Sequence, residues 1–160
     1  MNEHIKDPVA MKIAFGENPK GAYGQNGRKA PVTRMMTAAL LRETLKKAQR
    51  YMEEVDEAEK DDTKKRPFDM KLEAMLPVMR GEIPLKSHAH RADDILTAIR
   101  IAKEFDVKLT LDHCTDGSVI ADELAKEGFP AFVGPALGKK SKIELAAKSF
   151  DTPAVRLHKI

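Results

Sequence analysis

Among the five histidines of this chain, His88 and His90 stand one residue apart in SHAHRADDI, residues 87–95, where an extended run hands over to a helix. Imidazole is the commonest metal ligand and titrates near neutrality, so the pair is where chemistry is sought first. A third, His113, closes the extended run VKLTLDHC. His88 and His113 each end a predicted strand just before a loop and helix, the edge on which parallel α/β folds build their sites. On neighbouring strands about 4.8 Å apart, both rings reach one ion at bond lengths of roughly 2 Å. His88 and His113 are therefore candidate ligands of a divalent metal, zinc by preference. His90, two residues on along the same face, reaches toward substrate or the ligand shell. The same positions also suit hydrogen-bonded residues at a loop start, and catalytic zinc normally takes three protein ligands.

Lys12 is the next candidate. In AMKIAF, residues 10–15, alternation puts Met11, Ile13 and Phe15 on one face and Lys12, Ala14 and Gly16 on the other. An amine on the inner side of a strand needs a partner or a purpose, although it can also snorkel to the strand end. Glu17 and Asn18 follow that strand and can orient a ligand or water; turn chemistry alone also explains an Asn-Pro pair there. Cys114, beside His113, is a soft ligand, a nucleophile or an inert core filler. GKKSK, residues 138–142, can hold an anion or be a solvated turn, and His4 and His158 read as surface residues. The sequence has no phosphate loop, dinucleotide fingerprint, HExxH or paired-cysteine motif.

These residues need strands and helices to hold them. From Thr33, a predicted N-cap, Leu41, Leu45, Ala48, Met52 and Val55 recur at helical spacing. EVDEAEKDDTKKR then reads as a solvated helix end and surface loop. DMKLEAMLPVMRG, residues 69–81, predicts a helix disturbed by Pro77 and ended at Gly81. IPLKSHAH is a strand, and RADDILTAIRIAKEF a helix with Asp93 as its cap. VKLTLDHCT is a strand with a helix through SVIADELAKEG closing on Gly128, FPAFVGP is a fourth strand, and SKIELAAKSF and TPAVRLHKI are helical. Four strands alternating with helices predict an α/β fold with parallel pairing, either a doubly wound sheet or part of an eight-stranded barrel. Along VKLTLDHC, alternation sets His113 in phase with Leu109 and Leu111 and sends Thr110 and Asp112 toward the helices; an apolar inner layer or a bulge would reconcile this with a ligand at His113.

The 160 residues fit one domain, 42% hydrophobic and 33% charged, able to remove about 70% of its unfolded surface from water. Its 28 basic and 25 acidic residues nearly cancel and aromatics reach 5%, which argues against a nucleic-acid partner. No apolar run is long enough for a membrane span, and the first dozen residues lack a secretory core. With one cysteine, the expected location is cytoplasmic.

MKIAFGENPK, TRMMTAALLRETLKKAQRY, DMKLEAML, EIPLKSHAHRADDILTAIRIAKEF, LDHCTDG and VGPALGKKSKIEL together resemble the central part of the amidohydrolases related to imidazolonepropionase, over nearly the whole chain. The resemblance implies a metal-dependent (β/α) barrel hydrolysing C–N bonds of small amides or cyclic amides with an activated water. It implies that His88 and His113 are the ligands on the fifth and sixth barrel strands. Lys12 matches the fourth-strand position where some relatives carry a carboxylated lysine bridging two metals. The family's first-strand His-x-His pair and eighth-strand aspartate have no counterpart here. The expectation is therefore a partial, half TIM-type barrel over residues 1–160, with about four parallel strands, metal held loosely or not at all, and little hydrolysis by the isolated chain. The alternative is a non-catalytic half-barrel module, forming a homo-oligomer through its exposed strand edges.

Overall fold

A computed structural model describes residues 8–134 except 26 and 28. The predicted strand at residues 10–15 forms β1 (Met11–Ala14), followed by one turn of helix, α1 (Glu17–Pro19), and a wide π-type turn over Lys20–Gln25. Helix α2 (Arg34–Lys60) starts where expected: Met36 N donates to Thr33 Oγ1 at 3.1 Å, satisfying one of the amides left open at a helix start. Its buried stripe includes Leu45, Ala48, Tyr51 and Val55. The helix continues to Lys60 and the chain then leaves it, so the charged stretch is a helix end followed by loop, as its composition predicts.

The expected single helix at residues 69–81 is two short ones, α3 (Met70–Glu73) and α4 (Leu76–Met79). Proline at 77 has no N–H to donate back to Glu73 and its ring crowds that carbonyl, so α3 stops and a new turn begins with Pro77 in its first turn. Strand β2 (Leu85–Ala89), helix α5 (Ala92–Glu104), strand β3 (Leu109–His113), helix α6 (Ala121–Glu127) and strand β4 (Ala131–Val133) complete the described order. Gly128, at φ 68°, closes α6 as predicted. The segments 138–142, SKIELAAKSF and TPAVRLHKI, with His4 and His158, lie outside the described residues.

The four strands form one parallel sheet in the order β1-β2-β3-β4. Its register sets Ala14, His88, Asp112 and Phe132 side by side, and Lys12, Lys86 and Thr110 two residues toward the strand starts. Leu85, Ala89, Leu109 and Leu111 join Phe15 in one buried cluster with Leu45 and Ala48 of α2, Ile95, Ala98, Ile99 and Ala102 of α5, and Leu124 of α6. One sheet face is thus an apolar core under helices. The other carries Lys12, Lys86 and Asp112, whose side chains meet. The expectation for Asp112 is corrected here: it faces away from the helices, because Leu109 and Leu111 occupy the helix side. The architecture is α/β, consistent with four consecutive strands of a TIM-type barrel.

Candidate metal centre

β2 ends on His88 and Ala89, and β3 on His113, so register alone brings the two histidines to one rim. Alternation would turn the His113 ring to the helix side with Leu111. The backbone prevents this: His113 has φ 72° and Cys114 φ 44°, both left-handed. Such residues cost about 1–2 kcal/mol each without glycine's freedom. The turn is neither a bulge nor an apolar layer, and it carries the ring across to His88 at the end of β2 and to His90 just beyond it.

Three imidazoles gather there. Ring centres lie 4.7 Å apart for His88 and His90, 4.7 Å for His88 and His113, and 4.9 Å for His90 and His113. His90 stacks on His113 with planes 21° apart, while His88 stands edge-on to both, at 88° and 75°. His88 and His90 are buried, with 7% and 8% of their surface exposed.

The surrounding loops fix each ring. Gly134 O lies 2.7 Å from His113 Nδ1; a carbonyl only accepts, so Nδ1 carries the proton and Nε2 the lone pair. Thr115 Oγ1 lies 2.8 Å from His90 Nδ1. Asn18 Nδ2 lies 3.0 Å from His88 Nε2. The two βα loops are also stitched by backbone: Cys114 N donates to Ala89 O at 3.2 Å and Asp116 N to His90 O at 2.9 Å. Asp116 Oδ2 accepts from Ala92 N at 3.0 Å. The cap of α5 is therefore a carboxylate from the next strand's loop. Asp93, expected there, lies in the helix's first turn and pairs with Arg91.

Beneath the rings, Asp112 accepts from Lys12 Nζ at 2.5 Å and Lys86 Nζ at 2.7 Å. Burial pushes its carboxyl up, but the two lysine hydrogen bonds and charges outweigh this and hold it below the ordinary carboxylate value. Lys86 also sits 4.0 Å over the Phe132 ring. Lys12 does lie on the inner face, yet its amine is engaged by Asp112 and its side chain is 54% exposed. Cys114 is fully buried and burial pushes its thiol up to about 12, the character of an inert core residue.

Two imidazoles on one tetrahedral ion have ring centres about 5 Å apart. The 4.7 Å between His88 and His113 suits that arrangement, and the Nε2 lone pair of His113 suits the ligand role. Among the described residues, no three His, Cys, Asp or Glu side chains are placed to hold a metal ion between them. The donor set fits a two-imidazole contribution and no more.

No family model matches the chain, and no curated protein matches it. A solved structure does: the crystal structure of an amidohydrolase from Thermotoga maritima MSB8, with TM-score 0.90 and 42% sequence identity over 97% of this chain. Along nearly its whole length, the chain resembles part of an amidohydrolase. It spans 40% of that protein's length. No described helix is long and apolar enough to cross a membrane.

Sequence reasoning singled out the three rings, Lys12 and Asn18. It missed Thr115, Asp116 and the role of Asp112. The signal for the first two was present in CTDG directly after the strand, a hydroxyl and a carboxylate at a loop start where both capping and ring contacts are made.

Proposed function

We propose that this chain is the metal-binding central portion of an amidohydrolase, its parent reaction the metal-dependent hydrolysis of amide or cyclic-amide C–N bonds. The observation that carries this reading is the convergence of His88 and His113 at one strand rim, with Nδ1 of His113 committed to Gly134 O. When bound, a divalent metal such as zinc supplies Lewis acidity toward a substrate carbonyl and toward water. His88 and His113 hold it. His90, stacked on His113 and anchored by Thr115, contacts the substrate. The Asp112 bridge draws Lys12 and Lys86 together below the site and neutralises one of their two charges, so a carboxylated, metal-bridging Lys12 would first have to leave Asp112. The substrate class is a small cyclic amide of the type taken by imidazolonepropionase-related enzymes.

Two imidazoles bind an ion weakly, and among the described residues no third His, Cys, Asp or Glu side chain is placed with them to hold it. The expected result of calorimetric zinc titration of the 160-residue chain is one weak site. His88→Ala and His113→Ala each weaken it at least tenfold, with turnover of cyclic amides at or near background. Zinc affinity unchanged in both variants would remove the metal assignment. Tight stoichiometric metal with rapid turnover would overturn the weak-site reading while keeping the reaction class.

A further inference from the structure

The loop after β1 brings an amide to the histidine cluster by a route set in the backbone. Gly16 has φ 76° and ψ −140°, a conformation that residues bearing a Cβ scarcely enter. It turns the chain so that Glu17–Pro19 begins at the strand rim. From there Asn18, itself exposed, reaches the buried His88 with Nδ2 3.0 Å from Nε2. An amide nitrogen only donates, so Nε2 accepts and the proton of the neutral ring sits on Nδ1. Gly134 O imposes the same ring state on His113, from the opposite chemical direction, by accepting from Nδ1. Two neighbouring imidazoles are thus held in one tautomer by unlike partners, a carbonyl in one case and an amide N–H in the other.

We propose that Asn18 is the positioning residue of His88: its amide N–H stands where a cation would, fixes the proton on Nδ1, and covers the Nε2 lone pair until a metal displaces it. The tautomer half stands on the Asn18–His88 contact alone, and the covering half rests on the metal-binding reading above. GENP, a stretch that turn preferences alone would explain, thereby acquires a role at the site. Asn18→Asp is the informative change, because it keeps the shape of the side chain and reverses its hydrogen-bonding sense. A carboxylate only accepts, so the ring must place its proton on Nε2 to meet it.

Long-range proton–nitrogen correlation spectra of the 15N-labelled 160-residue chain at about pH 8, where an ordinary imidazole is neutral, read the tautomer directly. The expected wild-type spectrum has His88 protonated on Nδ1. In N18D the proton moves to Nε2, and in N18A the ring relaxes toward the mixture of free imidazole. A role in loop shape alone would leave the tautomer the same in wild type and N18D, and that result, or a wild-type proton on Nε2, overturns the assignment. Zinc titration tests the covering role: N18A is expected to bind roughly fivefold more tightly, the worth of one hydrogen bond to be displaced. Equal or weaker binding overturns that half. Should neither protein bind zinc, the metal reading and the covering role fall together, while the spectra still decide the tautomer claim.

Discussion

His113 shows a single residue giving up the geometry of its strand for the placement of a ring. Its left-handed backbone carries the imidazole off the side that period-two alternation assigns and sets it against His88 and His90. Residue types announced the cluster, but the dihedral that assembles it leaves no mark in a sequence where histidine is not glycine. Asp94 is the other residue whose environment overrides its type. Burial raises its carboxyl above the ordinary 3.8, against the hydrogen bond and charge of Arg34, whose Nε lies 3.0 Å away; Asp93 adds to the rise and Arg91 opposes it. A folded value above the unfolded one means that the folded chain holds the proton more firmly. This group's contribution is fully present below the unfolded pKa and is lost as pH rises through the folded value. Urea melts across pH should therefore show Asp94→Asn gaining on the wild type as pH climbs from about 4 toward neutrality. A pH-independent difference would contradict it.

At the scale of elements, apolar periodicity was a sound guide to the face buried by α2, because burial of the stripe is what stabilises the helix. Caps and breaks were less legible. Thr33 caps α2 from within its own segment and was readable; Asp116 caps α5 from another strand's loop and was not, since that contact exists only once β2 and β3 are adjacent. β2 also contains an anomaly. Ser87 is fully buried on the helix side, and its hydroxyl has no hydrogen-bond partner among the described residues. Ser87→Ala removes an unsatisfied polar group and is expected to stabilise the chain by about 1 kcal/mol, read from the midpoint of thermal or urea unfolding. A clear loss of stability would reveal a partner for that oxygen.

For the whole molecule, the controlling feature is a parallel sheet with β1 and β4 at its ends, each paired on one side among the described residues. Among the described residues, its second face bears Lys12, Lys86, Asp112 and the exposed Phe132. Unpaired parallel edges are templates for further strands, so the 160-residue chain is expected to self-associate, moving to earlier elution in size-exclusion chromatography as its concentration rises. A monodisperse monomer at every concentration would count against the half-barrel module.

Sequence alone determined the alternation of strands and helices, the parallel α/β class, and the candidacy of His88, His90, His113 and Lys12. These follow from periodicity and side-chain chemistry, which are local. Tertiary structure decided which sheet face Asp112 occupies, how His113 turns, that Lys12 is engaged by Asp112, and that Asn18, Thr115 and Asp116 hold the rim. Each of those depends on residues brought together across strands, where register and a positive φ, rather than the identity of any one residue, choose the partner.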